Sequence, residues 1–474
     1  MHIVIIGNGI LALTTAFRIA QKSGYGAKIT LIGPKFREGS ATLAAPAMLN
    51  SFAEIEKDSL TLEIDRHKFD LSIEATKLWT SFEKLVRGTA NDMLPSANVD
   101  TPKGTYVINN TAADDLDDEN FDAILECLKE YQEPHRLVSP ADIPNYMPEQ
   151  RHRATRALLI ENEGWINPPG FILALEKSLT LFGCVSVIDS EISSLNCYQG
   201  KVKYATLANG TLIDGDVFLL ATGANVTDIL EKSNVSLKLP KVFYGVGVSV
   251  EIKSSEFRHT NCIRTPNRGL ACGLYTAPYR NYTENAEPHI IVGASNFISP
   301  TPYHFGRLTS VEGLLRGAIE QINHNFYRAD FVKMNLGWRP TSQDTYPLIG
   351  GTSLTNLFIA TGTKREGFHL SPLISEYLSE LILFGKEDKR FSFFKPERKL
   401  IKSLKREEAI SKAVRHYVSA AYQHGFSPSK NRMPDQLKNM YREDLERLHD
   451  KIGADDWGIP PEMIDMYRYW HAQI

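Results

Sequence analysis

The chain has 474 residues, 42% of them hydrophobic and 23% charged, enough to bury a large core and to form more than one domain. A formal charge of −3 carries no electrostatic footprint of a nucleic-acid binder or of a protein held on an anionic membrane. No stretch approaches about 18 consecutive apolar residues, and the apolar start reads as a strand and a glycine turn instead of a signal sequence, so a cytoplasmic protein without a transmembrane segment is expected.

The first element is a strand over residues 2–6 that breaks into Gly7-Asn8-Gly9 and then a helical pattern over residues 10–22. This is the opening of a dinucleotide-binding βαβ unit. Gly7 allows the tight turn, Gly9 lets the backbone approach a pyrophosphate, and Ala12 lets the helix lie close on the strand. The helix N-terminus offers N–H groups and a positive dipole end to the phosphates. A second strand follows over residues 28–32, but the acidic residue that would hold the ribose hydroxyls is replaced by Gly33-Pro34-Lys35. An adenine dinucleotide would then be held by backbone groups, or with Lys35 near a phosphate.

Residues 91–149 are rich in Asp, Asn and Pro and include an acidic helical stretch over 113–131 whose charged face is a solvated one. A helix over 170–181, a strand over 184–188 and a hairpin over 201–212 come next. Residues 216–224 form an apolar strand ending in Ala221-Thr222-Gly223, and residues 357–362 form another ending in Ala360-Thr361-Gly362, followed by a helix over 371–384. Between them, 244–252 and 289–294 alternate as strands of an antiparallel sheet. Beyond Lys395 the chain becomes helical, charged and rich in Tyr, with Val414, Tyr417, Val418 and Tyr422 at helical spacing and Tyr467, Tyr469 and Trp470 close together. The five cysteines, Cys127, Cys184, Cys197, Cys262 and Cys272, are scattered, and no Cys/His spacing suits a metal, so free thiols and no metal site are expected.

The GxGxxA turn and the two strands ending in Ala-Thr-Gly coincide with Gly337-Trp-Arg-Pro-Thr341, Pro347-Leu-Ile-Gly350 and residues 362–372. Together they resemble the D-amino-acid oxidase superfamily of flavoproteins, in its glycine oxidase and D-amino-acid dehydrogenase branch. Residues 39–49 are similar to the family's small-residue loop beneath the isoalloxazine, and 165–170 to the segment entering its third FAD-domain helix. The resemblance covers roughly residues 1–385. It implies an α/β fold: a Rossmann-like, GR2-type FAD-binding domain from 1–90, 150–233 and 334–394, an antiparallel-sheet substrate domain from 91–149 and 234–333, and a helical C-terminal extension over 395–474.

The same resemblance implies FAD bound by Gly7, Gly9, Ile10, Leu11, Ser40, Ala41, Thr42, Met48, Ile192, Ala221, Thr222, Gly223, Gly362, Arg365, Glu366, Gly367, Phe368, His369 and Leu370. No cysteine falls in these loops, so the FAD is expected to be non-covalent. Arg339 matches the family arginine that pairs with a substrate carboxylate, Arg365 a second arginine above the flavin ring, and Tyr275 a tyrosine that reaches the same carboxylate. The implied reaction oxidises the C–N bond of a small amino acid or related amine to an imine by hydride transfer to flavin N5, followed by hydrolysis. His369 is not needed as a base. Reduced flavin would pass its electrons to O2 or to a quinone or carrier. A flavin fold kept only as a binding or assembly subunit has no need of the two arginines, and an NAD-dependent dehydrogenase does not match the two later strands. One departure is Ala47, where the family has glycine, which narrows the space near the flavin. The extension from Lys395 is expected to contact a partner protein or second subunit, or to cover the substrate entrance, and not to join the FAD site.

Overall fold

The computed structural model describes the chain except for residues 25, 91–103, 111, 113–114, 234, 236, 270–272, 281–287, 424–425, 427–431 and 473–474. Cys272, the first residues of the acidic stretch and the start of the 91–149 segment lie outside the described residues. The other four cysteines are free thiols.

The strands rich in Ile, Val and Leu collect in a six-stranded sheet, in the order Leu348–Gly351, Leu357–Thr361, Val217–Leu220, His2–Ile6, Lys28–Ile32, Val185–Ile188. All neighbours are parallel except the first pair. Such strands are apolar on both sides because both faces of the sheet are covered. Ile3 and Ile5 face the helices Ile10–Ser23, Glu63–Thr89, Pro168–Leu181 and Ser371–Phe384. Val4 and Ile6 face a three-stranded antiparallel sheet formed by Ile192–Tyr198, Lys201–Leu207 and Leu212–Asp214. The expected hairpin is therefore two thirds of a meander. The helix expected from residue 170 starts at Pro168, because Asn167 caps it with its side chain and proline suits the first turn.

A nine-stranded sheet stands beside the first. Its spine is the pair Val242–Lys253 and Asp330–Ser342, antiparallel over their whole length, which sets Gly245 opposite Arg339 and Gly247 opposite Gly337. Tyr275–Arg280, Pro288–Gly293, Cys262–Arg264 and Thr105–Asn109 extend it. Arg156–Ile160 pairs with Thr105–Asn109 in this sheet, although its place within 150–233 led us to expect it in the FAD-binding domain. Apolar alternation marks a strand but not the sheet that will receive it.

The C-terminal region is helical, with Arg406–Gln423, Met433–Ile452 and a short Ile464–Arg468. Ile410, Val414, Val418, Leu445, Trp457 and Tyr467 form its core, closed on one side by Phe243 of the nine-stranded sheet. Of the expected anchors, Val414, Val418 and Tyr467 are buried, while Tyr469 and Trp470 stay exposed.

Candidate active site

The turn after the first strand has the geometry that its glycines suggest. Gly7 sits at φ +121°, where a Cβ would lie 2.2 Å from the Ala221 carbonyl oxygen. The N–H of Ile10, at the start of the first helix, donates to Thr42 Oγ1 at 3.1 Å and so ties the small-residue loop to that helix end. Ser40 caps the short Ala41–Ala44 helix, and the Trp338 ring lies on Gly39, where a Cβ would fall 2.1 Å from Cδ2. The absent acidic residue at Gly33 also has a physical account. Asn8 lies across Gly33, its Cγ 2.5 Å from where a Cβ would be, and donates to the Pro34 carbonyl at 2.8 Å. Lys35 turns to Asp189 through its backbone N–H, and its side chain does not line the groove.

These elements enclose an elongated cavity of about 440 Å³. Gly7, Gly9, Ile10, Leu11, Ser40, Ala41, Thr42, Ile192, Ala221, Thr222, Gly223 and Gly367 all line it. Ala41 and Lys364 also line a smaller chamber of about 90 Å³, which holds Met48, Tyr275, Arg339, Arg365, Glu366, Phe368 and His369. The fold therefore brings together every predicted site residue except Gly362 and Leu370, which stand behind the walls. Gly362, at φ +71°, turns the chain after its strand, and Leu370 precedes the Ser371–Phe384 helix.

Arg339 enters the smaller chamber across Gly247, where a Cβ would be 2.4 Å from its Cζ. Its Nη1 donates to the Ser295 carbonyl and to Asn296 Oδ1, both at 3.0 Å. No carboxylate among the described residues pairs with it. Arg365 differs: its Nε lies 3.3 Å from Glu54 Oε2, and Glu54 is also bound by Arg264. Burial alone would raise the Glu54 carboxyl, but the Arg264 and Arg365 charges outweigh it and hold it down at about 2. Arg365 therefore brings its own counter-ion. Tyr275 lies under Gly293, where a Cβ would meet the phenol oxygen at 2.2 Å.

His369 is tied into the scaffold. Its Nε2 is 2.7 Å from Thr76 Oγ1, its carbonyl accepts from Trp79 Nε1 at 2.7 Å, and burial lowers the imidazole to about 4. A neutral, anchored ring positions the loop. Phe368 stacks on Trp79 at 5.7 Å. Both partners come from the Glu63–Thr89 helix, which the sequence reading did not single out.

The C-terminal helices reach the same wall. Lys412 Nζ lies 3.0 Å from Glu56 Oε2, and Glu462 pairs with Lys364. Sequence reasoning also missed Asn50, Glu54 and Lys364 as lining residues, although Asn50 and Glu54 come soon after the small-residue loop. Ala47, in the small-residue loop, is at φ +48°, in the left-handed region that favours glycine. Ala47→Gly is expected to raise stability by about 0.5 kcal/mol, the relief of a left-handed alanine less the added freedom of the unfolded chain. Denaturant midpoints measure this; a loss of about 1 kcal/mol or more would show that packing of the buried methyl outweighs the strain.

A sequence profile of the FAD-dependent oxidoreductase family matches residues 2–381. The chain belongs to this family. It is 24% identical over 395 residues to the bifunctional protein ThiO/ThiG of Nostoc sp. and 22% identical over 397 residues to that of Trichormus variabilis, in each case over 83% of this chain and 54% of the relative. The chain thus spans about half the length of the curated relatives it matches. Among solved structures, the glycine oxidase of Bacillus cereus aligns with TM-score 0.68 at 18% identity, covering 84% of this chain and 99% of that one. The iminodiacetate oxidase of Chelativorans sp. BNC1 aligns with TM-score 0.67 at 16% identity, covering 84% and 100%.

FAD is the cofactor of this family, and the residues of the larger cavity fit it. The Gly7 cradle would be filled by any Cβ, the helix N-terminus faces the groove, and buried Thr222 Oγ1, on the lining, has no partner among the described residues. No helix among the described residues is long and apolar enough to cross a membrane.

Proposed function

We propose that this flavoprotein oxidises the C–N bond of a small amino acid or related carboxylate-bearing amine to an imine, which water then hydrolyses. The observation that carries the reading is Arg339, a guanidinium without an acidic partner among the described residues, aimed into a small chamber continuous with the dinucleotide cavity. A planar guanidinium grips a carboxylate through two parallel bonds, and Nη1 is already steadied by Ser295 and Asn296. FAD, when bound, supplies the acceptor for the hydride that leaves the α-carbon.

Tyr275 is the second group placed to meet the carboxylate. Arg365, ion-paired with the Glu54 that Arg264 also binds, shapes the wall; it is not proposed as a second clamp. His369, held neutral, leaves the amine to react in its own neutral form. Two of the solved neighbours, an iminodiacetate oxidase and a glycine oxidase, are named for amines that carry carboxylates, which supports the substrate class. No cysteine among the described residues lines either chamber, which supports non-covalent FAD. The C-terminal helices, through Lys412 and Glu462, are proposed to close the substrate side.

The test is the visible spectrum of the purified protein. It should show flavin absorbance, release FAD on acid treatment, and bleach without air when a small amino acid is added. Recovery of colour in air or only with a quinone separates an oxidase from a dehydrogenase. A colourless protein that takes up no FAD on reconstitution overturns the reading.

A further inference from the structure

The smaller chamber contains a buried acceptor that the protein leaves empty-handed. Asn50 lines it and is only 4% exposed. Its Nδ2 donates to Thr105 Oγ1 at 3.0 Å and to Glu163 Oε2 at 2.6 Å, both away from the chamber. That leaves Oδ1, which has no hydrogen-bond partner among the described residues. Glu163 cannot release the amide, because its other oxygen accepts from the Ser51 N–H at 2.7 Å and the Phe52 N–H at 2.5 Å. An acceptor buried without a donor is costly, so a fixed one on a chamber wall points to a donor brought by a ligand.

We propose that Asn50 Oδ1 accepts a hydrogen bond from the amino nitrogen of the substrate, so that Asn50 selects primary and secondary amines over tertiary ones. The inference rests on the reading that Arg339 holds the carboxylate. A carboxylate has no proton to give Oδ1 and is repelled by it, so Arg339 and Asn50 together orient the substrate, carboxylate to one and nitrogen to the other. In its neutral, reactive form a primary amine has two N–H groups, a secondary amine one and a tertiary amine none. Glu163 is a positioning residue: it sets which end of the Asn50 amide faces the chamber.

The experiment uses the FAD-loaded protein without air at pH 8.5. It is titrated with acetate, glycine, N-ethylglycine and N,N-dimethylglycine while the flavin spectrum and any bleaching are followed. The last two are isomers of equal atom count; in the neutral form that reduces the flavin one keeps a single N–H and the other none. Selection is therefore read from the rate of bleaching per neutral amine, since the protonated tertiary amine also carries an N–H. The parent should favour N-ethylglycine over N,N-dimethylglycine by about tenfold, the worth of one hydrogen bond whose loss leaves a buried acceptor unpaired. Asn50→Ala should abolish that preference and weaken glycine about tenfold, while acetate changes by less than about twofold. Glu163→Gln should weaken glycine comparably with FAD retained, because a glutamine NH2 facing Asn50 reverses its amide and turns a donor toward the chamber.

Equal bleaching rates of the parent with the two neutral isomers overturn the proposal, as does an Asn50→Ala variant that keeps the parent's preferences. So does a variant whose unliganded flavin spectrum shifts while amine selection is unchanged, which would assign Oδ1 to the cofactor. If none of the four carboxylates perturbs the flavin of the parent, the Arg339 reading itself has failed.

Discussion

Arg339→Ala is expected to lower kcat/KM for the amino acid substrate by about 30-fold to 1000-fold while leaving FAD content unchanged. The figure corresponds to about 2–4 kcal/mol, the loss of a charge-assisted bidentate pair in a site shielded from water. The side chain stands on the long strand Asp330–Ser342, opposite Gly245 and across Gly247, so the backbone that presents it is fixed by the paired strand and not by the side chain. Truncation therefore removes the guanidinium without collapsing its support. Arg339→Lys should recover only part of the loss, since an ammonium cannot reproduce two parallel bonds. Arg365→Ala makes the contrast. It strips one of two arginines from Glu54 and leaves Arg264 in place, so its effect should fall mainly on stability and less on the specificity constant. Steady-state kinetics on the three variants, with FAD quantified in each, would decide. An Arg339→Ala enzyme as effective as the parent would place the substrate carboxylate elsewhere.

Much of the cofactor groove was legible in the sequence because backbone geometry dictates it. Gly7 cannot be anything larger where it meets Ala221, and strands that stop at Leu220 and Thr361 bring main chain to one end of a parallel sheet. Arg339 was legible through its motif. What escaped was whatever depends on a partner distant in the chain. Gly33 gives no sign that Asn8 occupies the space of the absent acid, and Glu54 reads as a loop residue until Arg264, some two hundred positions later, folds against it. Asn50 looks like a turn former; only the orientation of its amide by Glu163 and Thr105 marks it out. The Glu63–Thr89 helix went unnoticed because charged residues interrupt its apolar pattern, two of them, Glu83 and Arg87, buried as an ion pair, yet it supplies Thr76 and Trp79 behind His369.

The tail was legible as helix but not in its attachment, and Arg398→Ala should show how firmly it is held. The expected cost is about 3–5 kcal/mol of stability, because the change leaves a buried carboxylate without its counter-charge. Asp344 is 3% exposed and lies in the turn just after the strand that carries Arg339. Arg398 meets it with two nitrogens, Nη1 to Oδ2 at 2.5 Å and Nη2 to Oδ1 at 3.1 Å, and Nη2 also reaches the carbonyls of Tyr346 and Pro347. The Ile401 N–H adds a bond to Oδ2 at 3.1 Å. The first residues of the extension thus clamp the turn from outside, and Lys364, which donates its N–H to the Pro340 carbonyl, ties the end of the strand that enters this turn to the chamber wall. Loosening the clamp should raise KM more than it lowers kcat. Asp344→Asn combined with Arg398→Met should recover most of the stability, since the double variant no longer buries an unpaired charge. Thermal and denaturant unfolding of Asp344→Asn, Arg398→Met and the double variant would measure the coupling. A loss below about 1 kcal/mol for Arg398→Ala would mean that the tail is held by its apolar contact with Phe243 and not by this ion pair.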